Sequence, residues 1–134
     1  MAERLTLELA TPTRMVVAET VDEVVVPGSE GYFGVLPGHA PLLASLSVGE
    51  ITYRQSAASK HLAVAWGFVE VLADQVSVLA DIAERAEDID LDRARKARER
   101  AEALLKKGMD IDWDLARVAL DKAMIRIQVA GKRG

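Results

Sequence analysis

GSEGYFGVLPGHAPLL, residues 28–43, sets four glycines, two prolines and His39 among apolar side chains. A solvated loop has no use for Phe33, Val35, Leu36, Leu42 and Leu43. A plain strand does not accommodate Gly28, Gly31, Gly34, Pro37, Gly38 and Pro41 within so short a span. The stretch therefore reads as tight turns mounted on an apolar sheet, and its flanks describe that sheet.

On both sides the sequence keeps a period of two. In RLTLELA, Leu5, Leu7 and Leu9 alternate with Arg4, Thr6 and Glu8, the pattern of a half-buried strand. HLAVAW sets Leu62, Val64 and Trp66 on one face, and QVSVLAD sets Val76 and Val78 opposite Ser77 and Leu79. VDEVVVP is a β-branched run that Pro27 and Gly28 are expected to stop. Turn signals recur at ATPT, PGSEG, LPGHAP, SVGE, SAASK, WG and LADQ, about every 8 to 12 residues, the spacing of an all-β sandwich or barrel.

Near Asp81 the pattern changes. DLDRARKARERAEALLKKG, residues 90–108, is rich in strong helix formers. Asp88 and Asp90 are placed to accept from the first free amides, Lys106 and Lys107 fall in the last turn, and Gly108 is a left-handed terminator. Leu91, Ala94, Ala97, Ala101 and Leu104 make a narrow apolar stripe. A second helix begins near Asp110 or Asp112 and runs through WDLARVALDKAMIRIQV. Leu115, Val118, Ile125 and Val129 lie on one of its faces, with Ala116, Ala119, Ala123 and Ile127 close by. The short connection predicts an antiparallel hairpin. A stripe made mostly of alanine buries little area, so the hairpin is expected to come apart from the sheet without unfolding it. The fold class is thus a mostly β N-terminal sandwich or barrel, residues 1–84, followed by a C-terminal two-helix hairpin, residues 85–134.

Composition narrows the function. The 134 residues include no cysteine and two histidines, His39 and His61, which removes disulfides, thiol nucleophiles and Cys- or His-rich metal sites. No stretch approaches the roughly 20 apolar residues of a membrane span, and the N-terminus lacks the pattern of a signal peptide. The expected location is the cytoplasm or the cytoplasmic side of a membrane. Residues 1–80 carry four basic side chains against nine acids, a net of −5, whereas residues 81–134 carry thirteen against twelve, a net of +1. That contrast marks two structural regimes rather than a nucleic-acid surface. No phosphate-binding G-x-x-x-x-G-K-[ST] run and no G-x-S-x-G elbow occurs, so a catalytic site is not expected. A small β-sandwich hydrolase built on His39 is the enzymatic rival. The plainer role for His39 is a turn histidine bonded to nearby backbone, and His61 is expected to be solvated.

Arg93 and Arg100 are seven residues apart and share a face of the first helix, while Lys122 and Arg126, four apart, share one of the second. In a closed hairpin these four cations converge on a polyanion, leaving Glu84 and Asp90 for neutral or hydroxyl donors. The same residues also read as an Asp90 cap with solvated arginine pairs to Glu87, Glu99 or Asp121.

GSEGYFGVLPGHAPLL, followed by SVGEI and WGFVEVLADQVSVLAD and then a two-helix tail, resembles the epsilon subunit of F-type ATP synthase, the delta subunit of the mitochondrial enzyme. The resemblance covers essentially the whole chain. Trp66 departs from it, because the family usually has glycine before Gly67. The resemblance implies a non-catalytic rotor subunit at the cytoplasmic face of the bacterial inner membrane. Its sandwich binds the gamma subunit and rests on the ring of c subunits. Ser29, Glu30, Gly31, Tyr32 and His39 are implied at the c-ring contact, with the apolar residues of 28–43 anchoring the turns. The helical tail is implied to permit ATP hydrolysis when folded on the sandwich. Extended into the catalytic alpha and beta subunits, it is implied to block hydrolysis, with Arg117, Lys122 and Arg126 meeting acidic surfaces. Some bacterial members bind ATP through [IL]-D-x-x-R-A, which Ile89, Asp90, Arg93 and Ala94 match. Glu84, Arg100, Lys122 and Arg126 stand where the family's other nucleotide contacts fall. ATP is then a regulatory ligand, with or without magnesium. Lys122 replaces a more usual arginine and lacks its bidentate fork. The alternative is a free-standing ATP-sensing module without a synthase partner.

Overall fold

The computed structural model describes residues 4–108 and 112–133. Eight strands come first: β1 Leu5–Ala10, β2 Met15–Val21, β3 Glu23–Gly28, β4 Gly31–Val35, β5 Leu42–Leu46, β6 Gly49–Gln55, β7 Ala58–Val71 and β8 Gln75–Arg85. A single 3-10 turn, Ala86–Asp88, leads into helices α1 Leu91–Lys107 and α2 Trp113–Ala130. The strands form the expected sandwich, and the helices form the expected hairpin. β8 runs one residue past the expected boundary at 84.

Strand alternation carries the core. Leu5, Leu7, Leu9, Val76 and Val78 are buried, with Val24, Val26, Ile51, Tyr53, Leu62 and Val69, while Leu79 points outward. β1 lies between β2, antiparallel, and β8, parallel. β7 is long enough to serve both layers. Its residues 58–64 pair with β6, and its residues 67–71 pair with β5.

That change of partner corrects the reading of Trp66 and Gly67. WG is not a turn between strands but an interior point of β7. Trp66 has φ 60° and Gly67 φ 125°, so the alternation breaks there and the indole leaves the face that Leu62 and Val64 share. A Cβ on Gly67 would lie 1.9 Å from the Leu79 carbonyl oxygen, which closes the position to any side chain. A glycine at 66 would take the left-handed conformation freely; tryptophan takes it at a cost of about 1–2 kcal/mol.

Three further local readings are corrected by the structure. Pro27 and Gly28 do not stop the run, because both remain in β3 opposite Tyr32 and Gly31, with Ser29 and Glu30 making the turn. Leu36, Leu42 and Leu43 do not anchor the 28–43 turns in the sandwich; only Val35 is buried, with Phe33 packed against the core. His61 is not solvated, since its Nδ1 donates to Glu50 Oε2 at 2.8 Å.

The helices follow their sequence signals. Asp90 accepts from Arg93 N at 3.1 Å, Asp112 accepts from Leu115 N at 3.1 Å, and Gly108 is left-handed at φ 72°. Asp110, the other candidate start, lies outside the described residues. Ala94 and Ala101 of α1 are buried, as are Ala116 and Ala123 of α2, so small side chains make the seam where the helices pack. Leu104 and Leu115, expected in the apolar stripes, are exposed. α2 lies on β6 and β7 through its C-terminal half. Its contact is a second apolar cluster of Ala63, Ala86, Ile89, Val129 and Ala130, separate from the sandwich core.

Candidate functional site

Where the helices meet the end of β8, a cleft of about 360 Å³ opens, lined by Glu84, Asp88, Asp90, Arg93, Ala94, Ala97, Arg100 and Arg126. The volume falls within the ordinary range of small-molecule sites. Each wall has a local origin. Asp90 is fixed by capping α1, which places Arg93 on the first turn, and Arg100 follows two turns on along the same face. Arg126 reaches across from α2, its Nε donating to Glu84 Oε1 at 2.5 Å. That ion pair ties α2 to the last turn of sheet. Among the described residues, Arg93 and Arg100 are paired with no carboxylate, so two guanidinium groups are available, that of Arg93 in the first turn of α1 at the positive end of its dipole. This donor set suits a phosphorylated ligand: planar forks for phosphate oxygens, and the carboxylates of Asp88 and Asp90 for hydroxyl or amine donors.

Of the eight nucleotide-site candidates, six line the cleft: Glu84, Asp90, Arg93, Ala94, Arg100 and Arg126. Ile89 is buried in the small cluster beneath, and its carbonyl accepts from the Arg133 guanidinium. Lys122 is not in the lining of the cleft. It borders a narrow gap beside Ala63, Val64, Ala65 and Ile82 on the β7 side of α2, whereas Arg126 borders both that gap and the cleft. Asp88 and Ala97 were not among the sequence candidates. Asp88 was visible only as a possible cap, and the 3-10 turn is what aims it into the cleft.

The second candidate surface is an open groove of about 490 Å³ at the β3–β4 turn, lined by Ser29, Glu30, Gly31 and Tyr32 with Leu42, Leu43, Ala44 and Ser45. His39 is not part of its lining; its Nδ1 donates to the Ala40 carbonyl at 2.6 Å. The Tyr32 ring is exposed, but its hydroxyl accepts from the Glu50 amide at 2.9 Å. That approach works because residue 49 is glycine: a Cβ there would lie 2.6 Å from the Tyr32 oxygen. Across the sheet, exposed Phe68 and Leu79 are directly paired on β7 and β8, an outward apolar patch.

The model of the ATP synthase delta/epsilon chain beta-sandwich domain matches residues 4–86, and that of the long alpha-helix domain matches residues 87–131. The chain belongs to the ATP synthase delta/epsilon chain family. It is 52% identical to the ATP synthase epsilon chain of Geobacter sulfurreducens over 134 residues, covering 98% of this chain and 97% of that one. Its fold is shared with a chain of the Euglena gracilis mitochondrial ATP synthase (OSCP/F1/c-ring, rotational state 1). The TM-score is 0.80 at 23% identity, over 97% of this chain and 82% of that one. It is shared more loosely with a chain of the Tetrahymena thermophila mitochondrial ATP synthase central stalk and c-ring. There the TM-score is 0.59 at 16% identity, over 96% of this chain and 94% of that one. Among the described residues of this delta/epsilon chain, no helix is long and apolar enough to cross a membrane. Nor does any group of three or more His, Asp or Glu side chains gather that could hold a metal ion.

Proposed function

We propose that the chain is a non-catalytic subunit of the ATP synthase rotor, peripheral to the cytoplasmic face of the membrane, with a hairpin that senses ATP and restrains hydrolysis. Coupling belongs to the sandwich: the groove at Ser29–Tyr32 meets the c-ring, and the outward sheet carrying Phe68 and Leu79 offers apolar area to the gamma subunit. Regulation belongs to the hairpin, whose extended form reaches the catalytic alpha and beta subunits. The observation that carries the sensing role is the cleft in which Arg93, Arg100 and Arg126 converge from two helices. ATP bridging those helices binds the folded hairpin and not the extended one, so it shifts the equilibrium toward the folded, permissive state.

The test is a calorimetric titration of ATP into the purified chain, with and without magnesium, beside an Arg93→Ala, Arg100→Ala variant. Both side chains are exposed and neither caps a helix, so the variant leaves α1 intact. The expected result is saturable one-to-one binding, weakened more than tenfold in the variant, roughly 1.4 kcal/mol or more for lost charge-assisted contacts. No binding at millimolar ATP, or equal affinity in the two proteins, overturns the sensing role.

A further inference from the structure

We infer that Glu50 is the latch that holds the folded hairpin on the sandwich, gripping the C-terminal end of α2 through Gln128 and Lys132. Among the described residues Glu50 is the charged side chain that the fold buries, at 5% exposure. An ionised carboxylate taken out of water must be fully partnered, and this one is. The sandwich supplies Thr52 Oγ1 at 3.1 Å and His61 Nδ1 at 2.8 Å, both donating to Oε2. The hairpin supplies Gln128 Nε2 at 2.8 Å to Oε1, and Lys132 Nζ at 2.9 Å to each oxygen. Half of the donor set therefore departs if α2 lifts away.

The neighbouring residue closes the same end. Arg133 donates from Nε to the Ala86 carbonyl at 2.9 Å and also to the Ile89 carbonyl. Those carbonyls belong to the connection between β8 and α1, the segment about which a hairpin would turn. The chain's C-terminal end thus lies over its own hinge. The remaining contact between hairpin and sheet is the Arg126–Glu84 ion pair and a small, alanine-rich cluster with Ile89, Val129, Leu91 and Ile125, and apolar faces of this kind leave sliding positions close in energy. A carboxylate with four directed donors selects one of them. Glu50 is held from behind as well, by the bond from its amide to Tyr32 at the groove.

The inference rests on reading the hairpin as a movable element and not on its binding ATP, so its test contains neither ATP nor synthase. Because the chain has no native cysteine, Ala63→Cys in the full chain gives a single thiol under α2, and its labelling rate reports lift-off. Val78→Cys, in the main core, reports unfolding of the sandwich. Lys132→Ala alters an exposed residue, and Glu50→Gln alters its partner. Each is expected to speed labelling at position 63 about tenfold, the double variant no more than the faster single one, with labelling at 78 unchanged. Unchanged labelling at 63 in Lys132→Ala overturns the latch. So does equal acceleration at 78, which would make Glu50 a support of the sandwich. A chain that fails to bind ATP yet passes this test loses the sensing role and keeps the latch.

Discussion

Val129→Ala tests whether the sandwich and the hairpin are separate units of stability. Val129 is fully buried, but in the small cluster with Ala63, Ala86, Ile89 and Ala130 and not in the sandwich core. Removing two of its carbons forfeits about 0.8 kcal/mol each in transfer and adds a cavity term, together about 2 kcal/mol. If the hairpin opens by itself, the whole loss falls on that opening. Amide exchange in α2 then accelerates roughly thirtyfold, since each 1.4 kcal/mol is tenfold. Hydrogen exchange followed by mass spectrometry reads α2 and the strands in one experiment, with β1 and β8 as internal references. Slow strands and a fast α2 are expected. Equal acceleration in β1 and β8 would refute the reasoning, because it would make the chain one cooperative unit in which the hairpin cannot move alone.

Three further outcomes follow from the same geometry. Gly67→Ala drives a Cβ into the Leu79 carbonyl and strains a residue at φ 125°; denaturant titration should show a loss of several kcal/mol, or no folded protein. Tyr32→Phe leaves the Glu50 amide without its partner, and the midpoint of the same titration should fall by an amount matching about 1–2 kcal/mol. Burial raises the Glu50 carboxyl, yet hydrogen bonds from Lys132, Gln128, His61 and Thr52 outweigh it and hold the group below the usual carboxylate range. A group depressed in this way stabilises the closed form above its ordinary value and stops doing so as pH falls through the depressed one. Protection of the Ala63→Cys thiol should therefore be flat near neutrality and fall only on acidification below the ordinary carboxylate range, with the step reduced when Glu50→Gln is added.

The sequence made some of this legible and hid the rest for physical reasons. Leu5, Leu7 and Leu9 revealed β1 because a strand alternates sides whatever its partner. Asp90, Asp112 and Gly108 revealed helix ends because capping is local chemistry. Arg93 and Arg100 share the cleft because a seven-residue spacing fixes a helix face. Lys122 lies outside the cleft lining, and its position depends on how α2 is rotated against the sheet, which spacing within α2 does not encode. The left-handed Trp66 follows from β7 exchanging β6 for β5, a tertiary event. Glu50 was silent for the same reason: His61 reaches it across the β6–β7 register, and Lys132 from 82 residues away.

An ATP-gated hairpin requires a sandwich that stands without it, and the main core lies wholly before residue 84. The most direct test of the gate is the rate of ATP hydrolysis by the assembled synthase, across a range of ATP, with the complete chain and with a chain ending at Asp88. Faster hydrolysis is expected with the shortened chain at low ATP, with a difference that closes as ATP fills the cleft. Equal rates at every ATP concentration would contradict the gate.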